Sequence, residues 1–173
     1  MKIIFLDVDG VLNGNFWNET HQKEISDFTK VDATRVRLLA KLVNDTGAKV
    51  VMHSAWRNMF DENMMPCGRL SQKLYDILKS NGIVIYDKTP DFSTEDIRKT
   101  KNFSLVKASE IFAWLDTHSD VESWVVLEDL DLNNDIIAQH QIRTNQDIGL
   151  LPEDVENAKT ILNIPIQQKA RKV

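Results

Sequence analysis

The chain has 173 residues, a net charge of −5, and hydrophobic and charged fractions of 42% and 27%, which are ordinary values for a soluble globular protein. This length accommodates one well-buried core with at most a small insert. The mildly acidic balance excludes a general electrostatic attraction to nucleic acid or anionic membranes, but not a local basic groove. The single cysteine, Cys67, excludes an intramolecular disulfide and a cysteine-rich metal site, and we interpret it as a loop or packing residue.

The sequence contains no segment typical of a membrane anchor or a secretion signal. No apolar run approaches the roughly 18 residues that a membrane span needs. Residues 1–7 turn acidic after a short apolar run and lack the cleavage site of a signal peptide. We therefore expect a cytoplasmic protein with no membrane partner, and the sequence indicates no obligate protein partner.

Residues 3–6 form a short apolar run that ends abruptly in acidic residues. Such a run favours a central strand that is buried on both faces of a parallel sheet. The polar residues 13–30 that follow predict a loop or a small insert. Two adjacent aromatic residues in this segment, Phe16 and Trp17, are candidates to line the entrance of a substrate site.

A helix and a second strand are predicted next. Asp32 is a candidate N-cap, apolar residues recur at helical spacing to about residue 46, and Gly47 is a candidate C-cap. The valine-rich residues 49–53 predict the second strand, and residues 58–67 predict a loop.

The middle of the chain adds a helix, a strand and a long loop. Residues 69–81 predict a helix that Gly82 terminates, and residues 83–86 predict the third strand. The charged and polar residues 87–103 predict a loop. The remaining predicted elements are a helix over residues 104–118, a strand over 123–127, a short helix over 132–138, a strand over 139–143 and a helix over 152–162.

This alternation of strands and helices is typical of an α/β fold. We predict a Rossmann-like parallel sheet of about five strands with helices on both faces. The sequence predicts a single domain over residues 1–165, followed by a basic tail over residues 166–173.

Unusual polar residues follow three of the predicted strands. Asp7 and Asp9 follow the first strand, Ser54 the second, and Glu128 and Asp129 the fourth. In open α/β sheets, ligands bind outside the carboxyl ends of the strands, near the point where the strand order reverses. If the first strand is central, these side chains converge on one crevice. Clustered carboxylates repel one another, and an oxygen-only ligand set favours Mg²⁺, which also neutralises a phosphate group.

Four motifs occur in order along the chain: Asp7-Val8-Asp9-Gly10-Val11-Leu12 after the first strand, Ser54 after the second, Lys107 early in the helix before the fourth, and the pair Glu128-Asp129. Together they resemble the haloacid dehalogenase-like (HAD) phosphohydrolases. Three further short sequence segments resemble the small HAD domains, with little or no cap, that are associated with RNA-repair proteins. These segments are Ser54-Ala55-Trp56-Arg57, Lys107 through Trp114-Leu115, and Gly149-Leu150.

The resemblance implies a role for each residue of the first two motifs. Asp7 would attack phosphorus and form an aspartyl-phosphate. Asp9 would protonate the leaving oxygen and later activate water. Gly10, at the tight turn after the strand, and Ser54, as a hydrogen-bond donor to a phosphoryl oxygen, would bind the substrate.

Basic residues are also expected in the site. By the resemblance, Lys107 would offset the charge on Asp7 and the phosphate, although Lys99 or Lys101 could fill this role from the preceding loop. Arg57, just after Ser54, could bind the substrate or pair with an acidic residue, and the sequence leaves both interpretations open.

The resemblance places a metal ion among the carboxylates. Asp129 would hold Mg²⁺ together with Asp7 and the main-chain carbonyl of Asp9. The family usually has Asp or Gly at the position of Glu128, whose longer side chain could point elsewhere or bind the metal through water. Two other carboxylates are candidate outer partners of the metal site: Asp131 and Asp135.

The expected function is that of a Mg²⁺-dependent phosphatase acting on a phosphate monoester, with a nucleotide or a polynucleotide end among the candidate substrates. Two alternatives remain. One is a non-catalytic phosphate- or nucleotide-binding module, against which the intact Asp7 and Asp9 argue, and the other is a phosphotransferase. A calcium loop is excluded, because the twelfth position counted from Asp7 is Asn18 rather than a glutamate.

The histidines and most of the tryptophans are predicted to be structural. His53 adjoins Ser54 but points to the opposite face of its strand, so we interpret it as a packed residue. The predicted core tryptophans are Trp56, Trp114 and Trp124. The histidines predicted to lie on the surface are His21, His118 and His140.

Overall fold

The computed structural model describes residues 1–14 and 30–166. Most of the predicted insert at residues 13–30, including Phe16, Trp17 and His21, therefore lies outside the described residues. The same is true of residues 167–173 of the predicted tail.

Residues 1–14 and 30–166 contain five strands and six α-helices, in a largely alternating order. The strands are β1 (Lys2–Leu6), β2 (Lys49–Met52), β3 (Ile85–Lys88), β4 (Ser123–Glu128) and β5 (Gln141–Arg143). The helices are α1 (Ala33–Thr46), α2 (Arg69–Ser80), α3 (Glu95–Thr100), α4 (Ser104–Asp116), α5 (Asp135–Ala138) and α6 (Pro152–Leu162). A 3₁₀ helix, Ala55–Met59, follows β2 directly.

The five strands form one sheet in the order β3-β2-β1-β4-β5, and every pair in it is parallel. The strand β1 is central, and its residues Ile3–Leu6 are completely buried. The chain moves to one side of β1 through β2 and β3 and to the other side through β4 and β5. The strand order therefore reverses at β1, which places a crevice at the carboxyl ends of β1 and β4.

Alternate residues of the central strands enter two separate cores. Ile4 and Leu6 pack on one face of the sheet with residues of α1, α2 and α6. Ile3 and Phe5 pack on the other face with residues of α4 and α5. This period of two is what a strand buried on both faces requires. The predicted α/β fold with a parallel sheet and helices on both faces is confirmed.

The predicted ends of α1 are confirmed in atomic detail. The Asp32 side chain accepts a hydrogen bond of 2.7 Å from the main-chain N–H of Thr34. At the other end Gly47 has a left-handed conformation, with φ +67°, and its N–H donates to the carbonyl of Val43 at 2.8 Å. Such caps satisfy main-chain groups that the helix leaves unpaired.

Several predicted bounds differ from the structure: the short helix begins at Asp135 rather than near residue 132, and the fifth strand begins at Gln141 rather than near residue 139. Two further differences have a clear physical cause. The third strand begins at Ile85 rather than at residue 83, because the N–H of Ile83 still donates to Leu78 in the turn that closes α2. The predicted loop at residues 87–103 contains helix α3. Its side chains include no buried residue, so it has no apolar stripe that would reveal a helical period. The sequence features that do indicate this helix are the N-cap Thr94, acidic residues in the first turn and basic residues in the last turn.

Two histidines predicted to lie on the surface are half-buried against tryptophans. His118 stacks on Trp114 with ring centroids 3.7 Å apart, and His140 stacks on Trp124 at 3.9 Å. Both histidines keep part of their surface exposed, as expected for surface residues, and their flat rings also cover the faces of buried indoles. His53 is completely buried, as predicted. Within the described residues, we find no helix with the length and apolar character that a membrane crossing requires.

Candidate active site at the carboxyl edge of the sheet

The backbone of the first motif is held by its neighbouring strands. The N–H of Asp7 donates to the carbonyl of Leu127 at 3.0 Å, and the N–H of His53 donates to the carbonyl of Leu6 at 2.8 Å. The pairing therefore continues just past the ends of β1, β2 and β4. It brings Asp7, Ser54 and the end of β4 to the same edge of the sheet, although they are far apart in the chain.

Lys107 connects the two acidic motifs. It lies in the first turns of α4, and its Nζ donates to Oδ1 of Asp7 at 3.2 Å and also to Oε2 of Glu128. All three side chains are buried. Of the three lysines considered from the sequence, Lys107 is the one that contacts Asp7. Lys99 instead forms an ion pair with Glu95 at 2.7 Å on the surface of α3.

Burial and nearby charges both shift the pKa values of these three groups. Burial raises the pKa of Asp7, and the nearby Lys107 offsets part of this increase. The pKa of Glu128 is raised well above its usual value by burial and by the Asp7 carboxylate. Burial alone would lower the pKa of Lys107, but the two carboxylates raise it overall. The lysine is therefore a fixed positive charge between two carboxyl groups that each resist ionisation.

Three carboxylates could hold a cation. Ligand oxygens of Asp7, Glu128 and Asp129 all lie within 4.8 Å of one another. An oxygen-only donor set suits Mg²⁺, so these residues fit that ion. Glu128 already accepts hydrogen bonds at both oxygens, from Lys107 and from the N–H of Leu130. Asp7 and Asp129 are therefore the better candidates for direct contact with the metal.

The carboxylate of Asp9 is held from two sides. Its Oδ1 accepts from Nδ2 of Asn13 at 2.8 Å, and its Oδ2 accepts from the indole Nε1 of Trp56 at 2.9 Å. Trp56 is buried, as predicted, and its indole N–H also fixes the position of a carboxylate in the candidate site. Asp9 itself is exposed and lines the same cavity as Asp7.

Gly10 is required by both its backbone and its surroundings. Its φ is +79°, and a Cβ placed on it would lie 2.5 Å from Cγ of Asp129. The hydroxyl of Thr144 donates to the Gly10 carbonyl at 2.7 Å, and the N–H of Gly10 donates to Oδ1 of Asn13 at 2.9 Å. The absence of a side chain at residue 10 thus lets Asp129 approach the turn after β1.

We expect the substitution Gly10→Ala to impair both folding and turnover. The left-handed backbone should cost about 1–2 kcal/mol of unfolding free energy, and displacement of Asp129 should reduce phosphate release roughly 10- to 100-fold. The matched control is Gly47→Ala, where φ is +67° but no atom lies within 4 Å of the added Cβ. Urea unfolding and phosphate release measured on both variants separate the two effects. Equal loss of turnover in the control would contradict the proposed contact.

A second glycine brings the loop before α6 against the first motif. Gly149 has φ +80°, and a Cβ there would lie 2.7 Å from the carbonyl oxygen of Val11. The next residue, Leu150, donates its N–H to that same carbonyl at 2.8 Å. The Gly149-Leu150 segment therefore contacts and helps to fix the backbone of the first motif.

Ser54 begins the 3₁₀ helix and lines a cavity of about 860 Å³. Its side chain accepts from the N–H of Trp56 at 3.4 Å and is almost completely buried. Asp7, Asp9 and Asp129 line the same cavity. The predicted residues of the first, second and fourth motifs are thus brought to one wall, beside Lys107.

Arg57 makes contacts with acidic residues. Its Nη2 lies 2.8 Å from Oε1 of Glu110 and 3.2 Å from Oδ1 of Asp91, and its Nη1 donates to the carbonyl of His53 at 2.8 Å. Both Arg57 and Glu110 are buried, and both line the cavity. Of the two interpretations that the sequence left open, the structure shows the pairing with acidic residues.

The two candidate outer carboxylates lie apart from the acidic cluster. Asp131 forms an exposed ion pair with Arg143 at 3.3 Å, and Asp135 is an exposed residue at the start of α5. Neither lines the cavity among the residues that the structure describes. The exposed Cys67 is likewise not a lining residue.

Several contributors to the site were not identified from the sequence. Glu110 had a signal, since it lies three residues after Lys107 on the apolar stripe of α4, where an unpaired acid would be costly. Asn13 and Thr144 had no comparable signal, because side chains of their type are common in loops. Their contacts with Asp9 and Gly10 depend on how distant segments meet.

Residues 3–155 match the family model described as the HAD domain in Swiss Army Knife RNA repair proteins. Comparisons with curated proteins and with solved structures give no significant match. The matched range contains all four motifs and, apart from Lys2 at the start of β1, all five strands. The predicted resemblance to HAD domains associated with RNA repair is confirmed, and the chain belongs to the family of HAD domains in Swiss Army Knife RNA repair proteins.

Proposed function

We propose that this HAD domain hydrolyses a phosphate monoester through a covalent intermediate on Asp7. The observation that carries the proposal is the contact of Lys107 with both Asp7 and Glu128 at the base of an open cavity. A buried carboxylate with a fixed cation beside it is suited to nucleophilic attack on a phosphate, whose negative charge would otherwise repel it.

In the first step an Asp7 oxygen attacks phosphorus, and the bond from phosphorus to the leaving oxygen breaks. Lys107 keeps Asp7 ionised and offsets charge on the transferred group. The Ser54 hydroxyl, which lines the same cavity, would donate a hydrogen bond to a phosphoryl oxygen. When bound at Asp7 and Asp129, Mg²⁺ would neutralise further charge on the phosphate.

Proton transfer is the proposed task of Asp9. It would give a proton to the leaving oxygen in the first step and remove one from the attacking water in the second. The hydrogen bonds from Asn13 and Trp56 hold its carboxylate at the cavity mouth, which reduces the entropy lost when substrate binds. Hydrolysis of the aspartyl-phosphate then releases phosphate and restores Asp7.

We expect Lys107→Met to shift the pH dependence of turnover. Asp7 must be ionised to attack, and Lys107 lowers the pKa of that carboxyl against the effect of burial. Without the lysine the pKa of Asp7 rises further, so the acidic limb of kcat/KM should move to higher pH. The control is Lys107→Arg, which keeps the positive charge and should keep more of the original profile. An acidic limb that stays in place in Lys107→Met would show that Lys107 does not tune Asp7.

Phosphate release from p-nitrophenyl phosphate, nucleoside monophosphates and oligonucleotides phosphorylated at the 3′ or 5′ end tests the proposed function. Each is measured with Mg²⁺ and with EDTA, for the wild type and for Asp129→Asn. We expect turnover that requires the metal and that the substitution reduces strongly. Absence of turnover on every substrate would favour a binding module. Product that changes when an acceptor alcohol is added would instead favour a phosphotransferase.

The family match also supports a choice of substrate. Because the matched model describes domains of RNA repair proteins, we place nucleotides and polynucleotide ends first among the phosphate monoesters to be tested. The size of the cavity agrees with this choice, since about 860 Å³ is within the range that binds nucleotide-sized ligands.

A further inference from the structure

One wall of the cavity carries cations at a distance in sequence from the acidic cluster. Residues 91–103 contribute Asp91, Ser93, Arg98, Lys101 and Phe103 to the lining. The catalytic wall contributes Asp7, Asp9 and Asp129. The phosphate group that reacts needs only the catalytic wall. The wall formed by residues 91–103 is therefore available to the part of the substrate that is attached to that phosphate.

Lys101 is the unpaired charge of this wall. It follows the last residue of α3 with φ +58°, a left-handed conformation that is uncommon for a residue with a side chain. It is exposed, and within residues 1–14 and 30–166 its ammonium group has no hydrogen-bond or ion-pair partner. Nothing described in the protein therefore competes with a ligand for this charge.

Arg98 is held in place by a network of contacts. Its Nη2 donates to Oδ2 of Asp91 at 2.8 Å, and its Nε donates to the carbonyl of Ser93 at 3.3 Å. Asp91 is in turn held by Arg57 at 3.2 Å and by Nδ2 of Asn58 at 2.8 Å. This network anchors α3 to the loop after Ser54, so the guanidinium of Arg98 is oriented before any ligand binds.

The charges of this wall do not cancel. Arg57 and Arg98 offset the two acidic residues that they surround, Asp91 and Glu110. Lys101 then adds a net positive charge on a protein whose overall charge is −5. A local excess of positive charge attracts anions to this side of the cavity although the protein is acidic overall.

We propose that Arg98 and Lys101 form an anion subsite that binds a second phosphate of the substrate while the first is attacked by Asp7. The inference rests on the proposed function and specifies its substrate as a phosphate monoester that carries another phosphate. That second phosphate has two sources, a small nucleoside bisphosphate or the next phosphodiester of an oligonucleotide chain.

The experiment compares kcat/KM on four substrates at low ionic strength. They are p-nitrophenyl phosphate, adenosine 5′-monophosphate, adenosine 3′,5′-bisphosphate and a dinucleotide phosphorylated at its 5′ end. We expect the two substrates with a second phosphate to be preferred. Lys101→Met should lower kcat/KM for them about fivefold, with p-nitrophenyl phosphate unchanged. Added salt should reduce the preference, because exposed charges are screened.

The matched control is Lys99→Met. Lys99 belongs to the same helix, but it pairs with Glu95 and does not line the cavity, so its loss should leave all four rates unchanged. An equal effect of Lys99→Met would mean that only the general charge of α3 matters and would overturn the subsite. Preference for the dinucleotide alone would identify the polymer as the source of the second phosphate, and preference for both would include the small bisphosphate.

The failure of this inference is distinguishable from the failure of the proposed function. Turnover of p-nitrophenyl phosphate without a preference for a second phosphate would overturn the subsite and leave the phosphatase intact. If no substrate is turned over, the subsite is tested by binding instead. The affinity for adenosine 3′,5′-bisphosphate in Mg²⁺ is then measured by calorimetric titration. Affinity that falls about fivefold in Lys101→Met but not in Lys99→Met would support the subsite, and equal affinity in all three proteins would overturn it.

Discussion

The substitution Asp7→Asn is expected to lower phosphate release by about a thousandfold or more, because an amide oxygen is a poor nucleophile toward phosphorus. Phosphate release and labelling of the enzyme with phosphate should both be lost. The matched control is Asp131→Asn, which removes an exposed carboxylate that pairs with Arg143 away from the cavity. It should retain turnover.

The same substitution should not destabilise the fold in the absence of metal. Burial and the neighbouring carboxylates of Asp129 and Asp9 raise the pKa of Asp7, which means that its ionised form is disfavoured in the folded protein. Loss of this charge at neutral pH should raise the melting temperature, by about 2–4 °C for each 1 kcal/mol gained. Turnover that survives in Asp7→Asn would contradict the nucleophile assignment. A large fall in melting temperature would show that Asp7 is chiefly a structural partner of Lys107.

The substitution Arg57→Met is expected to have the largest effect on stability. It would leave the Glu110 carboxylate completely buried without its guanidinium partner, which lies 2.8 Å away. Removal of one member of a buried ion pair typically costs about 3–5 kcal/mol of unfolding free energy. Burial already raises the pKa of Glu110, so without Arg57 the group should take up a proton at higher pH.

A double-mutant cycle with Glu110→Met tests whether the cost comes from the unpaired charge. The double variant should recover part of the stability lost in Arg57→Met, although the N–H of Phe92 then loses the oxygen to which it donates at 2.8 Å. Urea unfolding at neutral pH measures all four proteins. The surface substitution Lys99→Met, which removes an exposed ion pair with Glu95, is the control and should change stability by less than about 0.5 kcal/mol. Strictly additive losses in the cycle would contradict the coupling of Arg57 with Glu110.

Local sequence patterns were sufficient where the physical cause is local. The buried run before Asp7 predicted a central strand, since only a strand covered on both faces tolerates four consecutive apolar residues. Asp32 and Gly47 located the ends of α1, because a cap satisfies main-chain groups within a few residues of itself. Local patterns failed for α3, whose side chains are all at least partly exposed and whose stability does not depend on an apolar stripe.

The sequence by itself determined the alternating α/β order of the chain and the acidic residues that follow its strands. Only the tertiary structure decided that Lys107 rather than Lys99 or Lys101 contacts Asp7, that Trp56 holds Asp9, and that Arg57 pairs with Glu110. These contacts join residues that are 100, 47 and 53 positions apart. Periodicity and capping extend over only a few residues, whereas contacts across such distances depend on the packing of the sheet and its helices.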